Sequence, residues 1–277
     1  MDKESFIISQ FQNAAIGDDG AVVGKWVYSK DLFCEDTHFK QGWLSPYQIA
    51  QKAMLVNISD AIAMNAKPKY ALLGLGLPKN FSKQDIEELS KGFNESAREY
   101  GVKIIGGDTI ASEKIIISLT IIAKKRKHTL YRSGLKKGDI LAYTGVLGQS
   151  ACELQELLNG GVVKAESRFA KPILRAKFIK AAAKYLRCGL DISDSLSKDL
   201  SRLCILGGVG VEFCEKIDKN TLCSGEEYEM LVAFDPKNTT KVLHAAKITK
   251  TPLHIFAKAC EGLYVSECKE HHFEGDM

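Results

Sequence analysis

Acidic residues stand at several points where a folding chain should tolerate none. Asp19 follows a glycine turn in Ala15-Ile16-Gly17-Asp18-Asp19-Gly20-Ala21-Val22-Val23, and Asp31 closes a strand that begins at Trp26. Asp60 falls in the inner half of an otherwise apolar helix, three residues after Asn57 and so on the same face. Asp108 ends a strand after Gly106-Gly107, while Asp191 and Asp194 stand at the start of a helix. An unpaired carboxylate in such surroundings is destabilising by several kcal/mol. Apart from Lys30, no basic residue recurs beside these acids in sequence. Divalent cations are the simplest counter-charge, and an all-oxygen ligand set favours Mg2+ or Mn2+ over zinc.

Several Mg2+ ions held by carboxylates point to a polyphosphate ligand, because Mg2+ shares its coordination between a few carboxylates and substrate phosphates. The usual nucleotide signatures are nevertheless absent. There is no G-x-x-x-x-G-K-[ST] loop and no G-x-G-x-x-G between a strand and a helix, and V-A-I-K, H-R-D and D-F-G are missing. Gly207-Gly208-Val209-Gly210 follows a helix and precedes a strand, the wrong context. An ATP site in this chain therefore needs another architecture. Taken alone, Gly17-Asp18-Asp19-Gly20 reads first as a surface turn, since Asp and Gly both tolerate unusual backbone angles. With the other acids it becomes a wall of the site, Asp19 as ligand and Asp18 fixing the turn through backbone hydrogen bonds.

Composition narrows the class. The 277 residues suffice for one large or two ordinary domains, and 45% hydrophobic with 26% charged residues is ordinary for a globular protein. A formal charge of +4 is too small an excess to suggest nucleic acid. The densest basic run, Lys124-Lys125-Arg126-Lys127-His128, reads as a solvated loop between strands. The N-terminus lacks a signal-peptide pattern, and no window approaches the roughly 18 apolar residues of a membrane span. The eight cysteines are scattered without a C-x-x-C pair, which reads as reduced thiols in a cytoplasmic protein.

Strands and helices alternate through the first half. A strand over 26–29 is followed by a helix opening at Ser45-Pro46 and stopped at Lys67-Pro68, then a strand over 70–78. A helix over 82–101 with a Ser82/Asp85 capping box precedes a short strand at 102–105 and a long one at 115–123. The glycine- and charge-rich segment 131–139 marks a domain boundary, giving domains 1–132 and 133–277. The second half reads as a strand over 140–145, helices near 149–158 and 172–186, and a turn at 189–194. A helix carrying Leu196, Leu200 and Leu203 follows, then strands near 209–213, 229–234, 253–257 and 263–266. The fold class is α/β or α+β.

Five motifs appear in order at fitting distances: Ile16-Gly17-Asp18-Asp19, Val56-Asn57-Ile58-Ser59-Asp60, Gly106-Gly107-Asp108-Thr109, Asp191-Ile192-Ser193-Asp194 and Ser224-Gly225-Glu226-Glu227-Tyr228-Glu229. Together they closely resemble the thiamine-monophosphate kinase family, within the superfamily of aminoimidazole ribonucleotide synthetase. The resemblance spans residues 15 to about 232. It implies two α/β domains per chain and a homodimer paired through the N-terminal sheets. ATP and several Mg2+ would lie between the domains, and the γ-phosphoryl of ATP would pass to the phosphate of thiamine monophosphate. By matching motifs the metal ligands are Asp19, Asp31, Asp60, Asp108, Asp191 and Asp194, with Ser29 through its hydroxyl. Arg132 and Ser193 match ATP contacts, and His38 and Glu226 match contacts to thiamine monophosphate. Asp31, Asp60, Asp108 and Arg132 are the residues implied to act at the transferring group.

The implied chemistry suits these residues. A phosphate monoester acceptor has a second pKa of ~6 and is already largely a dianion at neutral pH, so no general base is needed. The task is to overcome anion repulsion with cations and positioning. The chain departs from the family in four places. Lys30 replaces a small hydroxyl residue beside Asp31, Ser195 replaces a glycine, and Cys223-Ser224 replaces Ser-Gly. The aromatic residue that would stack on the thiamine ring has only Phe273 as a candidate. Two other readings are another ATP-dependent member, selenophosphate synthetase-like or amidine-ring-forming, and a non-catalytic nucleotide-binding relative. The first cysteine, Cys34, falls after the Asp18-Asp19 turn, which separates the chain from a selenophosphate synthetase with its early reactive cysteine.

Overall fold

The computed structural model describes residues 3–11 and 13–268; Phe273 lies outside the described residues. The first half contains α1 (Lys3–Ser9), β1 (Ala21–Val23), β2 (Trp26–Cys34), α2 (Pro46–Ala63), β3 (Lys67–Pro78), α3 (Lys83–Tyr100), β4 (Lys103–Ser112) and β5 (Ile116–Lys124). Its sheet has the order β1-β2-β5-β3-β4, antiparallel except where β3 and β4 run parallel. The parallel pair is joined through α3, as a crossover connection requires.

The second half contains β6 (Ile140–Thr144), α4 (Gln149–Leu158), α5 (Ala176–Ala182), β7 (Cys188–Asp191), α6 (Leu196–Gly207), β8 (Gly210–Phe213), α7 (Lys219–Cys223), β9 (Met230–Phe234), α8 (Thr239–Ile248) and β10 (Leu253–Cys260). Its sheet is antiparallel throughout, in the order β7-β9-β6-β10-β8. The mixed α/β class expected from the sequence is what forms. No helix of the described residues is long and apolar enough to cross a membrane.

α2 is the pivot of the first half. Ser45 and Gln48 form a reciprocal capping box, with Pro46 in the first turn where no amide donor is needed. The helix is apolar on nearly every side, so it must be covered on nearly every side. The sheet covers it on one flank and α3 on another. At that second flank Gly92 comes so close that a Cβ would lie 2.3 Å from the Tyr47 carbonyl oxygen. The inner face of the sheet contributes Val27, Phe33, Ile117, Leu119 and Ile121, all buried. Its outer face leaves Tyr28, Leu32, Leu72, Ile110 and Ile116 exposed.

In the second half β9 is buried on both faces. Met230, Val232 and Phe234 join a core with Phe178 of α5 and Val242 of α8, continuous with the core of the first half. Leu231 and Ala233 point the other way, into a second core with Leu196, Leu200 and Leu203 of α6. The period-two alternation of one strand thus feeds two cores.

Several boundaries differ from the sequence reading. β2 runs on to Cys34, so Asp31 lies mid-strand, and β4 runs on to Ser112, so Asp108 is also within a strand. The pairing of both strands with long neighbours carries them through. Asp191 ends β7 instead of opening a helix. The helix expected over 172–186 is confined to α5 and a short 3-10 turn at Ala183–Tyr185, with Arg175 before it bonded to Glu229. No strand forms at 263–266, because β10 already has β6 and β8 on its two sides. There Tyr264 packs on the Phe213 ring and its hydroxyl meets that of Ser197 at 2.8 Å. Cys223 and Cys268 form a disulfide across 45 residues, which corrects the expectation that all the cysteines are reduced. Folding proximity pairs them where sequence spacing gives no hint.

Candidate active site

Asn57 is the first fixed point of the site. It is fully buried on α2, its amide donates to the Ala53 carbonyl at 2.9 Å, and its Oδ1 accepts from the Asp31 amide at 2.9 Å. The Asn57 carbonyl oxygen accepts from Ser29 Oγ at 3.4 Å. The β2 segment carrying Ser29 and Asp31 is thereby pinned against the turn of α2 that carries Ser59 and Asp60. From that same turn, Ser59 Oγ donates to Asp191 Oδ2 at the end of β7, joining the two halves of the chain.

Asp19, Asp60 and Asp191 converge here. Each offers a carboxylate oxygen, and the three oxygens lie within 4.8 Å of one another. Arg132, from the irregular segment between the halves, closes over Asp19: Nε and Nη2 approach Oδ1 at 2.8 and 2.6 Å. The Arg132 amide donates to Asp18 Oδ1 at 2.6 Å. The adjacent acids divide their labour, Asp18 on a backbone amide across the hinge and Asp19 in the cluster.

The electrostatics follow from burial and crowding. Burial pushes the Asp19 carboxyl up to about 7, with Asp191 adding to the rise and Arg132 opposing it. Asp191 is pushed up to about 6 by burial, against the Ser59 hydrogen bond. Asp60 is raised well above the carboxylate range by burial and then by Asp31, Asp191 and Asp19. One guanidinium does not balance this many acids. The all-oxygen, mutually reachable donor set fits a hard divalent cation.

The neighbouring loop is built on Ser193. Its carbonyl accepts from the Glu226 amide at 2.7 Å, and Ile192 exchanges backbone bonds with Tyr228 and Glu229. Glu226 and Tyr228 both have positive φ, 55° and 52°. Asp194 is paired with Arg202, which also holds Asp199 at 2.7 Å. Ser195, in place of the family's glycine, has extended backbone and caps α6 by accepting from the Lys198 amide.

Glu226 does not stand alone. Lys52 of α2 has a fully buried side chain, and its ammonium contacts Glu226 Oε2 at 2.8 Å. It also sits 3.7 Å from the centre of the Phe169 ring and 5.7 Å from that of Phe33. His38 lies against the same Phe33 ring, at 5.0 Å, with Nδ1 accepting from the Cys34 amide. His38 and Glu226 are thus two ends of one group centred on Phe33 and Lys52. Glu226 Oε1 is buried without a hydrogen-bond partner.

Two residues fall elsewhere. Asp108 pairs with Gly74, which pairs with Ser118, placing it on the exposed outer face of the sheet, whereas Asp31 pairs with buried Leu119. Within one chain Asp108 is not brought to the cluster. Lys30, between Ser29 and Asp31, also points outward and donates to Ser118 Oγ. Its charge therefore does not enter the cluster. The sequence reading missed Lys52, Asp199 and Arg202. Lys52 follows Gln51 and reads as a surface residue, and its acidic partner is 174 residues away.

The two-sheet fold with an acid cluster at the foot of α2 defines the class. Residues 17–124 match the AIR synthase related protein, N-terminal domain. The thiamine-monophosphate kinase of Aquifex aeolicus (strain VF5) is 31% identical over 268 residues, covering 86% of each chain. That of Leptospira interrogans is 34% identical over 245 residues, covering 81% of this chain and 79% of the relative. The solved structure of AaThiL complexed with AMPPCP and TMP superposes with a TM-score of 0.83 at 26% identity, covering 95% of this chain and 91% of the other. The chain belongs to the thiamine-monophosphate kinase family.

Proposed function

We propose that the protein transfers the γ-phosphoryl group of ATP to the phosphate of thiamine monophosphate, giving thiamine diphosphate and ADP. The observation that carries this reading is the cluster of buried Asp19 and Asp191 and half-buried Asp60 beside Arg132, in a chain of this family. The complex of AaThiL with AMPPCP and TMP supports the choice of both substrates. Asp19, Asp31, Asp60, Asp191 and Asp194, with the Ser29 hydroxyl, would hold Mg2+. Bound Mg2+ would supply the positive charge that two phosphorylated substrates need to approach one another.

The chain's own residues do the rest. Arg132 offers a planar fork for a phosphate oxygen, and Ser193, between Asp191 and Asp194, would add a contact to ATP. His38 and Glu226 orient thiamine monophosphate, Glu226 with one oxygen held by Lys52 and the other buried without a hydrogen-bond partner. No residue needs to remove a proton, because the acceptor phosphate is already ionised. Positioning and charge carry the step.

The exposed apolar side chains of the outer sheet face support a homodimer formed through the N-terminal sheets. Asp108 stands on that face, so it would act where two sheets meet. Purified protein with Mg·ATP and thiamine monophosphate should yield ADP and thiamine diphosphate. A folded protein that binds ATP and yields neither would overturn the reading.

A further inference from the structure

A cavity of about 780 Å3 lies on the side of α2 away from the acid cluster. Leu55 and Ile62, two turns apart on α2, form part of its wall, while Asn57 and Asp60 project from the other side of the helix. None of the acids assigned above lines it. Its volume is in the range of small-molecule sites.

The lining is cationic. Lys67, Arg126 and Lys177 reach it from β3, from the basic run after β5, and from α5. Among the described residues none of the three has an acidic partner within salt-bridge distance. Lys171 and Arg175 also line it but are already engaged, with Glu166 at 2.9 Å and with Glu229. The one further acid on the wall, Glu99, is exposed and adjoins Tyr100, whose hydroxyl is held above the ordinary phenol range by burial and then by Glu99. Arg126 carries a second signal, because its Nε is buried without a hydrogen-bond partner. Orphaned buried donors are rare in folded proteins and mark a missing acceptor. Lys67 is held below the ordinary lysine range by Lys69, and further by Arg126 and Lys180. Like charges gathered from three separate elements repel unless an anion sits among them.

We propose that this cavity is a second anion site, which takes a small organic phosphate without a divalent cation. The phosphate would meet Arg126, Lys67 and Lys177, and the organic body would lie on Leu55, Ile62 and Tyr100. The basic run Lys124–His128 thereby gains a use beyond a solvated loop. The site differs in kind from the acid cluster, which needs added cations before it accepts any anion. That contrast provides the test, and the proposal stands or falls independently of the kinase reading.

The purified full-length chain is titrated calorimetrically with AMP and, separately, with inorganic phosphate, both in EDTA. AMP is expected to bind saturably, one per chain, at least tenfold tighter than inorganic phosphate. Arg126→Gln should weaken AMP binding at least tenfold, and so should the double variant Lys67→Gln/Lys177→Gln, whose exposed side chains can change without disturbing the fold. Three results would each overturn the proposal. They are AMP binding no tighter than inorganic phosphate, AMP binding that appears only with Mg2+, and AMP binding that both variants leave unchanged.

Discussion

Asp19 and Asp191 are held protonated further into the neutral range than an unfolded chain would hold them. Between the unfolded value near 3.8 and the folded values of about 7 and 6, the native state binds more protons than the unfolded one. Stability is therefore fully present at low pH and is lost as pH rises through that window. In EDTA, the melting temperature should fall between pH 4.5 and pH 7, by an amount on the order of a few kcal/mol in stability. Added Mg2+ should restore more at pH 7.5 than at pH 5, where protons compete for the same oxygens. Lys52 gives a second test at this scale. Lys52→Met leaves the Glu226 carboxylate without its cation and should destabilise the fold by about 2–3 kcal/mol in urea titrations. Adding Glu226→Gln should recover part of that loss, since a buried pair is costly to break and cheap to replace whole. The single variant should also raise KM for thiamine monophosphate more than it lowers kcat.

The elements owe their placement to a few close contacts. Gly92→Ala would drive a methyl group into the Tyr47 carbonyl and should destabilise by about 1–3 kcal/mol, with α2 and α3 forced apart. Asn57→Ala removes the side chain that holds β2 to α2 and leaves the Asp31 amide without its acceptor. It should cost about 1–3 kcal/mol and reduce turnover more than Gly92→Ala does, because Asp31 loses its alignment. Much of this arrangement is legible in the chain. The apolar surroundings of Asp60 and the Ser45 and Ser82 caps announce α2 and α3, since local rules decide them. Strand ends are less legible. Lys30 and Asp31 look like a polar stop after Ser29, but their side chains alternate across the sheet, Ser29 and Asp31 inward and Lys30 outward. Only pairing with the long strand β5 carries β2 past them. Lys52 and the Cys223–Cys268 bond depend on partners 174 and 45 residues away, and no local pattern encodes such distances.

For the molecule as a whole, the decisive fact is that one core runs from the N-terminal sheet through α2 to α5, α8 and β9. A boundary at 132/133, as proposed from composition, would separate two sheets that share their hydrophobic interior. Thermal unfolding followed by calorimetry should accordingly show one cooperative transition. Two well-separated transitions would show that the halves are independent. Arg132 sits at that boundary with its guanidinium on Asp19 and its amide on Asp18. Arg132 is therefore a built-in counter-ion for Asp19, on the carboxylate where a dissolved cation would also bind. A divalent ion held by Asp19 would compete with Arg132 for the same carboxylate, and a displaced guanidinium would be available to a phosphate oxygen. Occupancy and turnover should separate when that placeholder is removed: Arg132→Gln should bind a first Mn2+ more tightly in spectroscopic titrations, while its kcat falls about 10²-fold.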